Sequence, residues 1–421
     1  MDYRESLDYL YGLQRFGIKL GLDNIRQILC RLQNPERTYP IVHVAGSNGK
    51  GSVCAGLACI LLQAGRRTGL YSSPHLHSFT ERIRIDGQAI SKAEAVALIE
   101  SVRAASDGIP VTFFEFTTAM ALLHFQRQEV EVAILEVGMG GRLDATNAVR
   151  SQVTVITPIC LDHSEHLGAD LATIAAEKAG IIKSHIPLVL GQQPFVALQV
   201  LGDKAKDLQA PVFRYGREFF VETVGNGFDY QGLDLSLTNL QSGLYGVHQH
   251  HNLGVALATA EILLRQGLEL PTVALREGVA ATRWPGRLEW WREERTVLLD
   301  GAHNEGGAEV LAAYLASLAV AGIRWVVGAK ASKDIANILR PLLPLVDYLY
   351  CTVPPVEDAV PAENIARLAG EFGLAAACFD DSASALAAAL ADRRQGEIIL
   401  VAGSLFLVAA AREYLMDQEG A

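Results

Sequence analysis

Pro40-Ile41-Val42-His43-Val44-Ala45-Gly46-Ser47-Asn48-Gly49-Lys50-Gly51-Ser52 is an apolar strand that runs into a glycine-rich loop. Behind the loop, Val53, Leu57, Ile60, Leu61 and Ala64 recur at helical spacing. The pattern stops at Gly65, and a second strand is expected at 68–71. Strand, loop, helix, strand is the repeating unit of a parallel sheet. Small residues let the loop curl with its N–H groups inward. The helix N-terminus adds positive potential, and Lys50 brings a full charge to the β/γ phosphates. Ser47, Asn48, Gly49, Lys50, Gly51 and Ser52 can therefore hold a triphosphate. The plainer reading, a glycine turn with a solvated lysine, is outweighed because strand, loop and helix occur in order. The loop departs from GxxxxGK[ST]: its first glycine would fall at Val44, and Gly51 stands where a hydroxyl would ligate magnesium. A metal must find its ligands elsewhere.

Further along, buried strands are expected at 130–135, 153–157 and 187–190, with helices at 92–105, 116–128 and 171–178. Apolar strands alternating with helices predict a doubly wound α/β domain of the P-loop ATPase type. Short alternating segments over 212–240 suggest a small antiparallel sheet. Helices at 252–265 and 272–281 close this first domain. Arg283-Trp284-Pro285-Gly286-Arg287 reads as a linker, since Pro-Gly breaks both helix and strand. The alternation then restarts, with strands at 296–299, 323–327, 348–350 and 397–401 and helices between them. The expected division is 1–284, followed by a smaller Rossmann-like domain over 285–421.

Composition narrows the function. A chain of 421 residues exceeds one ordinary core, and half of it is hydrophobic while a fifth is charged, as in a packed globular protein. The net charge of -11 argues against nucleic acid or an anionic membrane as partner. Six scattered cysteines without a CxxC pair suit reduced thiols in a cytosol. The N-terminus carries no signal-peptide pattern, and no apolar run is long enough for a membrane span.

Three strand ends offer ligands for the metal that Gly51 cannot hold: Ser73 in YSSPH, Glu136 in LEVGMGGR and His163 in LDH. Open α/β sheets bind ligands at those ends. A hydroxyl, a carboxylate and an imidazole can complete a magnesium shell with water and phosphate oxygens. Each residue alone reads more simply as a turn, cap or surface group; three strand ends together favour a site.

The segments HVAGSNGKGS, YSSPHLHSFTERIRIDG, LEVGMGGRLDATN, LDHSEHLG, AAEKAGIIK, GVHQHHN, WPGRLE and LLDGAHN stand in the order found in folylpolyglutamate synthases. The chain resembles that family, within the Mur ligase superfamily, over essentially its whole length. Bacterial members often double as dihydrofolate synthases. The resemblance implies an ATP-dependent ligase that joins L-glutamate to dihydropteroate and to reduced folates through an acyl phosphate. It implies that Ser47 to Ser52, Asn252, Arg287 and Asp300 bind ATP. Ser73, Glu136 and His163 match magnesium ligands, and two magnesium ions are expected. Lys50, His163 and Lys178 match the catalytic machinery, with Lys178 carbamylated. Thr112, Phe113, Phe114 and Glu115, with Leu143, Asp144 and Ala145, match the pterin site. His303, Asn304 and Ser404 match residues that face the cleft between the domains in such proteins. His248, His250 and His251 read as a helix start, not a metal cluster. A monomer in the cytoplasm is expected. Two other readings are a peptidoglycan Mur ligase, opposed by YSSPHL and GGRLDATN, and a P-loop switch that hydrolyses ATP without ligating.

Overall fold

The first strand, β1 (Ile41–Ala45), is buried at every residue and lies inside an eight-stranded sheet. Its companions are β2 (Thr68–Tyr71), β3 (Ile83–Ile85), β4 (Gln88–Ala89), β5 (Val132–Glu136), β6 (Val153–Ile156), β7 (Leu188–Leu190) and β8 (Val212–Arg214). The order is β4-β3-β2-β5-β1-β6-β7-β8. From β2 to β8 neighbours run parallel, and β3 and β4 are antiparallel. Near-continuous apolar runs, such as VAIL before Glu136 and VTVI with its one threonine, follow from burial on both faces of a parallel sheet. The chain leaves β1 to one side toward β2 and returns on the other at β6, so the loop after β1 stands at the switch point where such sheets bind ligands. This computed structural model describes residues 2–17, 21–162, 164–292 and 294–420.

Local chemistry sets the element ends. Helix Phe113–Arg127 starts three residues before the expected 116, because Thr112 and Glu115 form a capping box. The β3–β4 hairpin turns on Asp86 and Gly87, both at positive φ (50° and 78°). Asp-Gly is a two-residue hairpin signal, and the pattern reading passed over it. Helix Phe195–Asp207 also went unforeseen, although Ala197, Leu201 and Ala205 recur every fourth residue and are buried.

The expected small antiparallel sheet is present as β9 (Phe220–Val224), β10 (Gly227–Gln231) and β11 (Ser236–Gln241). It begins later than expected, since Val212–Arg214 joins the large sheet as β8. Glu261, on helix Val247–Arg265, holds the turn between β10 and β11. Its carboxylate accepts the N–H groups of Leu233, Asp234 and Leu235 and the Tyr230 hydroxyl.

The second sheet comprises β12 (Glu289–Trp291), β13 (Val297–Asp300), β14 (Gly322–Val327), β15 (Tyr348–Thr352), β16 (Ala376–Phe379) and β17 (Glu397–Ala402). Its order is β12-β13-β17-β14-β15-β16, with only β12 antiparallel to its neighbour. Trp325 is fully buried on β14 and donates its indole N–H to the Ala402 carbonyl at 3.2 Å. By contacts the chain forms two compact units. One holds Met1–Ile159, Ala169–Gly243 and Gln249–Arg283; the other holds Cys160–Gly168, Leu244–His248 and Trp284–Ala421. Among the described residues no helix is long and apolar enough to cross a membrane.

Candidate nucleotide and substrate site

The loop after β1 is tightly bound to its surroundings. Gly46 and Gly49 take φ of 146° and 87°, conformations open to glycine. A Cβ on Gly49 would lie 2.4 Å from Asn252 Oδ1, and one on Gly46 would lie 1.8 Å from Thr157 Oγ1. Asn252, expected to contact the nucleotide, therefore sits against the loop. The N–H groups of Ser47 and Asn48 donate to the Pro158 carbonyl, at 2.9 and 3.2 Å. Lys50 opens helix Lys50–Gln63 and folds back to the carbonyls of Gly46 and Ser47, both at 3.1 Å. The first turn of a helix leaves N–H groups without intrahelical acceptors, here those of Lys50, Gly51 and Ser52. Ser52 adds a buried hydroxyl with no hydrogen-bond partner among the described residues. A loop of this form fits phosphate oxygens.

Lys178 comes to the same loop from helix Leu171–Ala179. It is buried, and its amine donates to the Gly46 carbonyl at 2.9 Å. Ser73, just past β2, donates its N–H to Glu136 Oε2 at 3.2 Å, at the end of β5. The structure thus brings two of the three expected metal ligands together. A hydroxyl residue beside a carboxylate, next to a phosphate loop, fits a hard cation such as magnesium. His163, the third, lies outside the described residues. Among the described residues no three of His, Cys, Asp or Glu cluster as a metal site. His250 instead bonds Thr223 at 3.0 Å and stacks on Phe228, while His251 lies against Tyr215.

The two segments expected at the pterin site converge. The Phe114 ring lies so close to Gly138 that a Cβ there would meet it at 2.5 Å. Asp144 in turn accepts the N–H groups of Gly138 and Met139 on Oδ2, and the N–H and hydroxyl of Thr146 on Oδ1. Burial nevertheless raises its pKa. Leu143 is half-buried and Ala145 buried, on either side of it. Phe113 stacks on Tyr11 with centroids 5.9 Å apart and meets Phe79 edge-on. Thr112 and Glu115 bond to each other as the helix cap, so their side chains have a structural task whatever else they touch. Tyr11, Phe79 and Arg82 escaped the sequence reading at this place. Their signal was faint: one aromatic in the first helix and two residues inside a quoted motif.

In the second unit Arg287 and Asp300 are neighbours. A Cβ on Gly301 would lie 2.1 Å from Arg287 Nη1, and Arg287 counters part of the rise in pKa that burial imposes on Asp300. The Asp300 carboxylate accepts N–H groups from Leu288 and Ala302. His303 donates Nδ1–H to the Gly301 carbonyl at 2.7 Å, leaving Nε2 3.8 Å from Asp162. Burial and then Lys333 lower its pKa to about 4, so it is neutral at pH 7. Asn304 donates to Asp162 at 3.1 Å, and Lys333 pairs with the other oxygen of Asp162. Ser404 is buried after β17. Lys333 was not foreseen, and Asp162 entered the sequence reading only as part of the LDH segment.

Two family descriptions match the chain: Mur ligase middle domain over residues 44–260, and Mur ligase, glutamate ligase domain over residues 286–405. Together with the phosphate loop they define an ATP-dependent ligase of the Mur type. The dihydrofolate synthase/folylpolyglutamate synthase of Escherichia coli K12 is 36% identical over 410 residues, covering 97% of this chain and 94% of that relative. Its counterpart in Mycobacterium tuberculosis is 39% identical over 383 residues, covering 84% and 78%. Escherichia coli FolC in complex with DHPP and ADP matches with a TM-score of 0.93 at 35% identity, over 100% of this chain and 99% of that one. The bifunctional enzyme of Yersinia pestis, complexed with AMPPNP and a Mn ion, matches with a TM-score of 0.90 at 37% identity, over 99% and 98%. The chain belongs to the dihydrofolate synthase/folylpolyglutamate synthase family.

Proposed function

We propose that this chain joins L-glutamate to dihydropteroate, and also to the glutamyl tail of reduced folates, using ATP. The observation that carries the reading is the meeting of Lys50, Lys178 and the Ser73–Glu136 pair around one phosphate loop, in a chain so similar to enzymes of that name. Residues 1–284 are read as the ATP- and pterin-binding part, and 285–421 as the glutamate ligase domain. A monomer in the cytoplasm goes with this reading.

A carboxylate does not react with an amine at neutral pH, because its oxygen is a poor leaving group. Transfer of the γ-phosphoryl group to the carboxylate oxygen gives an acyl phosphate and ADP. The glutamate amine then attacks the acyl carbon, and phosphate leaves. Lys50 swings from the loop carbonyls to the transferring phosphoryl group, and the free N–H groups of the helix start hold the phosphate oxygens. Asn252, Arg287 and Asp300 bind the rest of the nucleotide. Phe113 and Phe114, with Thr112, Glu115 and the turn of Leu143, Asp144 and Ala145, seat the pterin. Magnesium held by Ser73, Glu136 and His163 would supply positive charge to the phosphate oxygens. A carbamate on Lys178 would turn that cation into an anion and give a second magnesium a ligand. A carbon-13 carbamate signal under labelled bicarbonate, absent from Lys178→Ala, is the expected sign; a free amine with nucleotide and magnesium present counts against it.

The deciding assay supplies ATP, glutamate and dihydropteroate and identifies products by mass. ADP and dihydrofolate should form only with all three present. Lys50→Ala should keep the fold and lower the rate about a hundredfold to a thousandfold. Extension of tetrahydrofolate without any dihydrofolate synthesis would leave a folylpolyglutamate synthase alone. ADP release that ignores both acid and glutamate would reject the ligase and leave a P-loop ATPase.

A further inference from the structure

Arg82 is a buried cation that makes no ion pair among the described residues. It ends the short 3-10 helix Phe79–Arg82, ahead of β3, with 8% of its surface exposed. Its Nε–H donates to His75 Nδ1 at 2.8 Å, and its guanidinium carbon stands 5.2 Å from the centroid of the Phe113 ring. His75 supplies a lone pair, not a negative charge. Glu81, next in sequence, gives its carboxylate to the N–H groups of Leu76, His77 and Ser78. Glu136 and Glu81 both act on Arg82 through space, yet among the described residues neither comes within ion-pair distance of it. Buried guanidinium groups are ordinarily paired, because desolvating a lone cation is costly. The arginine fork is shaped for a carboxylate.

Around it the walls are aromatic. Phe113 is flanked by Tyr11 and Phe79, and Tyr71 packs on Phe114. Flat rings beside a buried cation that lacks an ion pair match a ligand with an aromatic body and a carboxylate end. We propose that Arg82 binds the carboxylate of the acid substrate, and so fixes where that acid lies before it is phosphorylated. The inference rests on the ligase reading above. Neither the pterin-site segments nor the metal ligands include this residue.

The test is equilibrium binding of pteroate and of its carboxamide analogue to the full chain, without turnover. The wild type should prefer the acid by about ten- to a hundredfold, the worth of one charged hydrogen-bonded pair. Arg82→Gln should lose that preference while binding the carboxamide and ADP as the wild type does. Should Arg82→Gln fail to bind ADP, Arg82→Lys carries the test, and it should show a weakened but surviving preference for the acid. An acid-over-amide ratio unchanged in the variant overturns the inference and leaves the ligase reading standing. A variant that keeps this ratio but loses affinity for glutamate also overturns it, and assigns Arg82 to the other substrate. No binding of pteroate to the wild type overturns both.

Discussion

His43 shows what one buried residue can do to the pH response of the chain. It is fully buried in β1, and its Nε2 lies 2.8 Å from Thr146 Oγ1. Thr146 donates its own proton to Asp144, so His43 must carry the proton on Nε2, which leaves Nδ1 buried without a partner among the described residues. Burial, and then the charge of Lys183, lower its pKa from 6.5 to about 3. Above pH 6.5 the ring is neutral in both folded and unfolded chain, and this contribution to stability is fully present. Between pH 6.5 and about 3 the unfolded chain takes up a proton that the folded chain refuses. Stability should then fall by up to roughly 1.4 kcal/mol per pH unit from this group alone. Urea unfolding of the wild type and of His43→Gln across that window checks it. The variant should be the flatter of the two, and parallel pH profiles would contradict the assignment. Nothing in the strand IVHV announced that its histidine would meet Thr146, 103 residues away.

Among elements, the phosphate loop was the most legible, because its chemistry is contiguous. Strand, glycines, lysine and helix follow one another, and each can be read without knowing what lies opposite. Its partners could not be read so. Asn252 is brought against Gly49 from helix Val247–Arg265, and the resemblance to a family, rather than spacing, pointed to it. Gly49→Ala should be a sharp probe of that contact. The new Cβ would strain a φ of 87° and press on Asn252 Oδ1 at 2.4 Å. A left-handed alanine alone costs about 1–2 kcal/mol, so ADP affinity should drop about tenfold or more. Calorimetry on the folded variant decides it, and wild-type affinity would mean that the loop does not hold the nucleotide in this conformation.

For the whole molecule, the two sheets carry separate cores. Trp325 centres one of them, packed with Leu298, Ile338, Leu349 and Leu400. Trp325→Ala should destabilise its unit by about 3–5 kcal/mol through lost burial and a cavity. Hydrogen exchange should then speed up in β13, β14, β15 and β17, while β1, β5 and β6 keep their protection. Equal loss of protection in both sheets would show that the chain unfolds as a single cooperative unit.

Periodicity, glycine placement and the order of motifs were enough to reveal a doubly wound α/β chain, its phosphate loop and the family to which it belongs. These are properties of neighbouring residues, and the backbone enforces them locally: a strand alternates or stays apolar, a helix repeats every three to four residues, and a positive φ favours glycine. That Ser73 would stand near Glu136, 63 residues away, could be expected from two strand ends of one sheet, but the placing of Lys178 on the Gly46 carbonyl, 132 residues away, came from packing alone. So did the isolation of Arg82 among aromatic rings. Such contacts depend on strand order and on which groups are left unpaired once the core has closed, and a linear pattern records neither.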